Sequence, residues 1–160
     1  MPPYIRTEGN SAGVFGLPWY SEYGFQQTRG FRALKIWMAL KFHGVDGYTA
    51  SIERDLSLAA RLAERVRQAG DLQLVIEPSL SIVCFRFAPV SLRSDEEGLN
   101  QLNKRLLEAV QLGGNAFLSS TTINGAFCLR GCVINHRATE QDIDFLVAHV
   151  RQTGESLLPA

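Results

Sequence analysis

One arginine in the middle of an apolar strand is the residue best placed to do chemistry. Arg130 stands within Phe127-Cys128-Leu129-Arg130-Gly131-Cys132-Val133. Strand alternation sets it on one face with Cys128 and Cys132. Arginine is almost never fully buried unless it is paired, and its planar fork suits a carboxylate bidentately. Two chemistries stay open. Arg130 grips a carboxylate that arrives with a ligand, or it pairs with an internal Asp or Glu or reaches solvent. Arg86, within Val83-Cys84-Phe85-Arg86-Phe87, poses the same choice more weakly. Arg29 and Arg32 set cations in a first helical turn, against the helix dipole. Either an anion or distant acidic groups hold them there, or they are simply exposed.

The other reactive residue types form no pattern. His43, His136 and His149 do not stand at ligand spacing, so no metal site is expected. His149 falls beside an apolar helical stripe and reads as structural. Cys84, Cys128 and Cys132 are odd in number and contain no C-x-x-C pair. That points away from a disulfide framework or zinc and toward a reducing, cytoplasmic setting. No nucleophile elbow, P-loop or G-x-G-x-x-G occurs. Sixteen basic residues balance sixteen acidic ones, which favours neither nucleic acid nor an anionic membrane as partner. With 46% hydrophobic and 20% charged residues, the 160-residue chain has the makings of one ordinary globular core. No signal peptide is expected at Met1-Pro2-Pro3-Tyr4, and no apolar run approaches the roughly 18 residues of a membrane span.

Several elements must hold these residues. Residues 1–28 carry glycines, prolines and the aromatics Phe15, Trp19, Tyr20, Tyr23 and Phe25 with no period, which reads as a long loop that docks on something. Residues 31–42 are apolar on nearly all sides and suggest a buried helix ending near Gly44. A second helix spans roughly 47–69, with Ile52, Leu56, Ala59, Ala63 and Val66 in one stripe. Strands are expected at Gln73–Glu77 and Ser81–Phe87, about a turn at Pro78-Ser79. A helix over 96–111 carries Leu99, Leu102, Leu106 and Val110, and Gly113-Gly114 stops it. Strands at Phe117–Thr122 and Ala126–Ile134 meet at Asn124-Gly125, a strong hairpin signal. The last helix starts at Thr139, with Asp142 completing an approximate capping box and Ile143, Leu146, Val147 and Val150 facing the core. The order loop-α-α-β-β-α-β-β-α implies an α+β domain: an antiparallel four-stranded sheet with helices packed on one face, preceded by a long loop.

These segments together resemble one family. The run Arg29-Gly30-Phe31-Arg32-Ala33-Leu34-Lys35-Ile36-Trp37, followed by His43-Gly44-Val45-Asp46-Gly47, is similar to the start of the C-terminal domain of the group II pyridoxal-phosphate-dependent amino-acid decarboxylases. These include the aromatic amino-acid and glutamate decarboxylases. Ser81-Ile82-Val83-Cys84-Phe85-Arg86, Leu129-Arg130-Gly131-Cys132-Val133-Ile134-Asn135, Ala138-Thr139 and Asp142-Ile143 fit the same pattern, in the family's order, over residues 18–152.

The resemblance implies a cytoplasmic, homodimeric carboxy-lyase that removes the carboxylate of an L-amino acid, with pyridoxal phosphate as electron sink. It divides the chain into a mobile active-site loop region, 1–28, and the small C-terminal α+β domain of a fold-type I enzyme, 29–160. Arg130 matches the arginine that binds the substrate carboxylate in glutamate decarboxylases. Tyr20 matches the mobile-loop tyrosine that protonates the substrate carbon after decarboxylation, with Tyr23 as the alternative. Phe31-Arg32 and Leu34-Lys35 match the aromatic type.

One departure matters. The family's histidine-lysine motif, its ring-stacking histidine and its aspartate lie in a large domain upstream. Here none of Lys35, Lys41 and Lys104 follows a histidine. The expectation is therefore a C-terminal portion that is inactive alone and binds no cofactor by itself. A free-standing dimerisation or binding module that complements a separately encoded large domain is the alternative.

Overall fold

The computed structural model describes Phe25 and residues 30–158. Tyr20, Tyr23 and Arg29 lie outside the described residues, as does nearly all of the expected loop. The chain divides into two compact units, Met1–Gly44 and Val45–Ala160.

Helix α1, Arg32–Gln68, runs from the first unit into the second and is interrupted at Gly44, whose backbone (φ 70°, ψ 174°) is not helical. A side chain would be strained at that φ, which is why the glycine marks the end of the first helical stretch. The expected helix over 31–42 is present, but it is not buried among the described residues. Phe31, Ile36, Trp37, Met38 and Phe42 are all more than half exposed. Lys41 holds its ammonium 6.0 Å from the Trp37 ring centroid.

The second unit contains the sheet. Strands β1 (Leu72–Ile76), β2 (Ile82–Phe87), β3 (Ser119–Ile123) and β4 (Ala126–Cys132) pair antiparallel in the order β1-β2-β4-β3. A 3₁₀ turn at Val90–Leu92 leads from β2 to helix α2 (Glu96–Leu112), and helix α3 (Glu140–Ser156) closes the described fold. The α+β architecture expected from the sequence is the one observed.

One sheet face packs on the helices. Val83, Phe85, Phe87 and Leu129 join Leu58, Leu62 and Val66 of α1, Leu102, Leu106 and Val110 of α2, and Ile143, Val147 and Val150 of α3 in one buried cluster. Full burial of a side chain such as Phe85 contributes about 2–3 kcal/mol. Gly131 belongs to this face because a Cβ there would come within 3.1 Å of Leu62 Cδ2.

Three expectations shift. In α1 the buried residues are Leu58, Ala59, Leu62, Ala63 and Val66. Ile52, expected in the stripe, is exposed, because the helix turns its Leu58–Leu62 face to the sheet. In β4 the ladder stops at Cys132 while the apolar run continues through buried Val133 to exposed Ile134. Phe117, expected to open β3, is exposed and precedes the strand.

Local chemistry sets the joints. Asn124 (φ 50°) and Gly125 (φ 86°) both take left-handed backbone, the pattern of a two-residue hairpin turn. Thr139 and Asp142 form a reciprocal capping box at the start of α3. Asp144 of α3 accepts from Arg61 (Nε 3.1 Å, Nη2 2.6 Å) and Arg65 (Nε 2.8 Å, Nη2 3.1 Å), which ties α3 to α1. Those two guanidiniums hold its carboxyl down at about 2. Among the described residues no helix is long and apolar enough to cross a membrane.

Candidate functional site

The face of the sheet opposite the apolar core is where the chemistry-bearing residues gather. Directly paired residues on neighbouring strands share a face. Cys84 of β2 pairs with Arg130 of β4, and Arg130 pairs with Ser119 of β3. This places a cross-strand row Cys84–Arg130–Ser119 on one face. Gln73 of β1 pairs with Arg86 of β2, and Thr121 of β3 pairs with Cys128 of β4, on the same face.

The two arginines of this face are treated differently. Arg86 is 7% exposed. Its Nε donates to Gln73 Oε1 at 2.8 Å, and its Nη1 and Nη2 donate to Glu96 Oε1 and Oε2 at 2.5 and 3.1 Å. Glu96 is the first residue of α2. The guanidinium beside it holds the Glu96 carboxyl below its ordinary range. Arg86 is therefore a satisfied structural arginine, with its fork fully engaged.

Arg130 is half-buried and has no such partner. Its recorded side-chain bond runs from Nη1 to Ser119 Oγ at 3.2 Å, and no carboxylate of the described residues lies within ion-pair distance. Ser119 Oγ in turn donates to the Arg130 carbonyl at 3.3 Å. Of the five N–H donors of a guanidinium, most remain for something else. Among the described residues, the internal ion pair that the sequence left open for Arg130 is absent, and at Arg86 it is present.

The two buried thiols of this face, Cys84 and Cys128, are quiet. Burial pushes Cys84 up, and the nearby Arg130 charge only partly opposes it. Burial and the neighbouring Cys84 also push Cys128 up, and its Sγ donates to the Ala126 carbonyl. Neither is a thiolate nucleophile at neutral pH. Among the described residues no His/Cys/Asp/Glu cluster is built to hold a metal ion. His149 stacks on Phe145 (centroids 5.7 Å apart, planes at 5°), and its buried Nε2 has no hydrogen-bond partner among the described residues.

Two asparagines of α2 missed by the sequence analysis bond the backbone where the β2–β4 ladder ends, past Phe85 and Leu129. Asn103, fully buried, accepts from Phe87 N at 2.8 Å and donates to Phe87 O at 2.8 Å and Leu99 O at 2.9 Å. Asn100, one turn earlier, accepts from Phe127 N and donates to Gly125 O. Helix α2 thereby satisfies backbone groups of Phe87 in β2, Phe127 in β4 and Gly125 in the hairpin turn, beyond the reach of the β2–β4 ladder. A polar residue in the Leu99–Leu102–Leu106 stripe was the available signal.

The three lysines all lie on exposed helical surface. Lys35 and Lys41 are on the first stretch of α1, and Lys104 is on α2, 6.0 Å from the Phe127 ring centroid. Arg32, the first residue of α1, is also exposed.

Comparison with known proteins agrees with this fold. Residues 12–88 match the pyridoxal-dependent decarboxylase conserved domain. The aromatic-L-amino-acid decarboxylase of Bacillus atrophaeus is 31% identical over 98% of this chain and 32% of that protein. Tyrosine decarboxylase 2 of Arabidopsis thaliana is 36% identical over 71% of this chain and 21% of that protein. The crystal structure of Oryza sativa TDC with PLP and tryptamine superposes with a TM-score of 0.76 at 26% identity, over 82% of this chain and 28% of that one. Rhodiola rosea 4-hydroxyphenylacetaldehyde synthase gives 0.75 at 28% identity, over 88% and 30%. This chain thus spans about a third or less of the length of the proteins it matches. Sequence and fold agree over most of the chain, and it belongs to the group II pyridoxal-dependent decarboxylase family.

Proposed function

We propose that this chain is the C-terminal portion of a cytoplasmic, homodimeric decarboxylase of aromatic L-amino acids, and that Arg130 binds the substrate carboxylate. The observation that carries this reading is the contrast on the sheet face: Arg86 is fully paired, while Arg130 is half-buried with no carboxylate of the described residues in reach. A half-buried guanidinium with free donors can complete its bonds on a carboxylate that arrives with a ligand. The names of the relatives, an aromatic-L-amino-acid decarboxylase and a tyrosine decarboxylase among them, favour aromatic substrates.

Arg130 would orient the substrate by its carboxylate. Tyr20, outside the described residues, is assigned as the donor of the proton to the substrate carbon after carbon dioxide leaves. The described residues do not fit a Schiff-base site for pyridoxal phosphate, because Lys35, Lys41 and Lys104 are exposed on helices. The cofactor, which supplies the electron sink in such enzymes, is accordingly assigned to a large domain apart from these residues. The exposed Phe31, Ile36, Trp37, Met38 and Phe42 support a covering partner, either that large domain or a second subunit.

Coexpression with the large domain of a relative tests the reading. Carbon dioxide release from an aromatic L-amino acid is expected only when both parts are present. Incubation of this chain alone with pyridoxal phosphate and borohydride is expected to leave no lysine adduct. Release by this chain alone, or a stable adduct on Lys35, Lys41 or Lys104, would overturn it. The alternative, a free-standing module that complements a separately encoded large domain, predicts that the two parts join without covalent linkage.

A further inference from the structure

We infer that Ser119 is the positioning residue of the Arg130 carboxylate site, a deepening that rests on the reading of Arg130 given above. The argument begins with register. Ser119 on edge strand β3 lies directly opposite Arg130 on β4, so their side chains rise from the same face. The serine hydroxyl has one proton and two lone pairs. Its proton goes to the Arg130 carbonyl (3.3 Å), which leaves a lone pair to accept Arg130 Nη1 (3.2 Å). The hydroxyl is thus anchored to the strand it faces and acts as a fixed acceptor for the guanidinium.

That single bond occupies one Nη and leaves Nε and the other Nη as an open fork, the geometry that receives a carboxylate through two parallel bonds. The neighbour on the other strand adds to this. Cys84, opposite Arg130 on β2, is short and carries no competing negative charge, because burial keeps its thiol protonated. Arg130 is therefore flanked by two small side chains, one of which holds it. Arg86 shows the opposite arrangement, in which Gln73 and Glu96 occupy Nε and both Nη groups. An arginine stem loses considerable rotamer freedom when its head is fixed. Ser119 meets part of that loss before any ligand arrives, as preorganisation requires.

The test uses the intact chain with 3-phenylpropionate, an aromatic carboxylate without an amine, followed by guanidinium-selective nitrogen-15 NMR. The native chain is expected to show a saturable shift of the Arg130 Nε–H resonance, absent in Arg130→Lys. Ser119→Ala is expected to weaken binding roughly 3- to 10-fold, the loss of one hydrogen bond. Ser119→Thr keeps the hydroxyl and should bind within about twofold of native, while Ser119→Val, the same shape without it, should bind like Ser119→Ala. Thermal melts of all three identify any variant that fails to fold, and the Thr–Val pair then carries the result. Native affinity in Ser119→Ala, or equal affinity in Thr and Val variants, would overturn the positioning role and leave the carboxylate reading standing. No response of Arg130 to the probe in the native chain would overturn both.

Discussion

Arg86 and Arg130 stand on the same face of the same sheet, on adjacent strands, and have opposite fates. Arg86 is sunk to 7% exposure and bonded at three nitrogens to Gln73 and Glu96. Among the described residues Arg130 keeps one serine hydroxyl and an open fork. The difference lies in what the fold brings to each. Helix α2 begins at Glu96, which delivers a carboxylate to Arg86, whereas the cross-strand neighbours of Arg130 are Cys84 and Ser119. A buried, paired arginine holds structure. A half-buried one without a carboxylate among the described residues is the one proposed for recognition.

The comparison breaks or sharpens under substitution. The largest effect is expected at Arg86: Arg86→Ala should destabilise the chain by about 3 kcal/mol, since it removes packing and every bond to α2 at that corner. Asn103→Ala should follow, at about 2 kcal/mol, because it strands the buried amide and carbonyl of Phe87. Arg130→Ala should cost about 1 kcal/mol or less. Urea denaturation of the three variants orders them. Equal losses at Arg86 and Arg130 would erase the distinction between the two arginines.

The smallest effect concerns acid. Arg61 and Arg65 hold Asp144 at about 2, below its unfolded value. A depressed carboxyl contributes stability that is present above its unfolded pKa and is lost as pH falls through the folded one. Melting temperature should therefore drop between about pH 4 and about pH 2, and Asp144→Asn should flatten that part of the profile. An unchanged profile would mean that the α1–α3 contact does not depend on this carboxylate.

Much of the fold could be read along the chain because its signals are local. Asn124-Gly125 makes the hairpin it promises, and Thr139 and Asp142 cap α3 as their spacing requires. Alternation correctly set Arg130 beside Cys128 on one face. What escaped depends on distant pairs. Nothing near Arg86 announces Glu96, ten residues on past a 3₁₀ turn, and nothing near Asn103 announces the Phe87 backbone. Likewise, whether Leu58 and Leu62 or Ile52 faces the core depends on how α1 meets Gly131, a contact nearly seventy residues away in sequence. The sequence left the partner of Arg130 open for the same reason, since the lack of a carboxylate within reach among the described residues is a property of the folded neighbourhood.

The most direct measurement is the KM for an aromatic L-amino acid in the reassembled enzyme, native against Arg130→Gln. Glutamine keeps a polar amide but is shorter and loses the charged fork. If Arg130 binds the substrate carboxylate, KM should rise roughly 10- to 100-fold, the loss of charge-assisted hydrogen bonds. An unchanged KM in a folded, active Arg130→Gln enzyme would contradict the assignment of Arg130 as the carboxylate-binding residue.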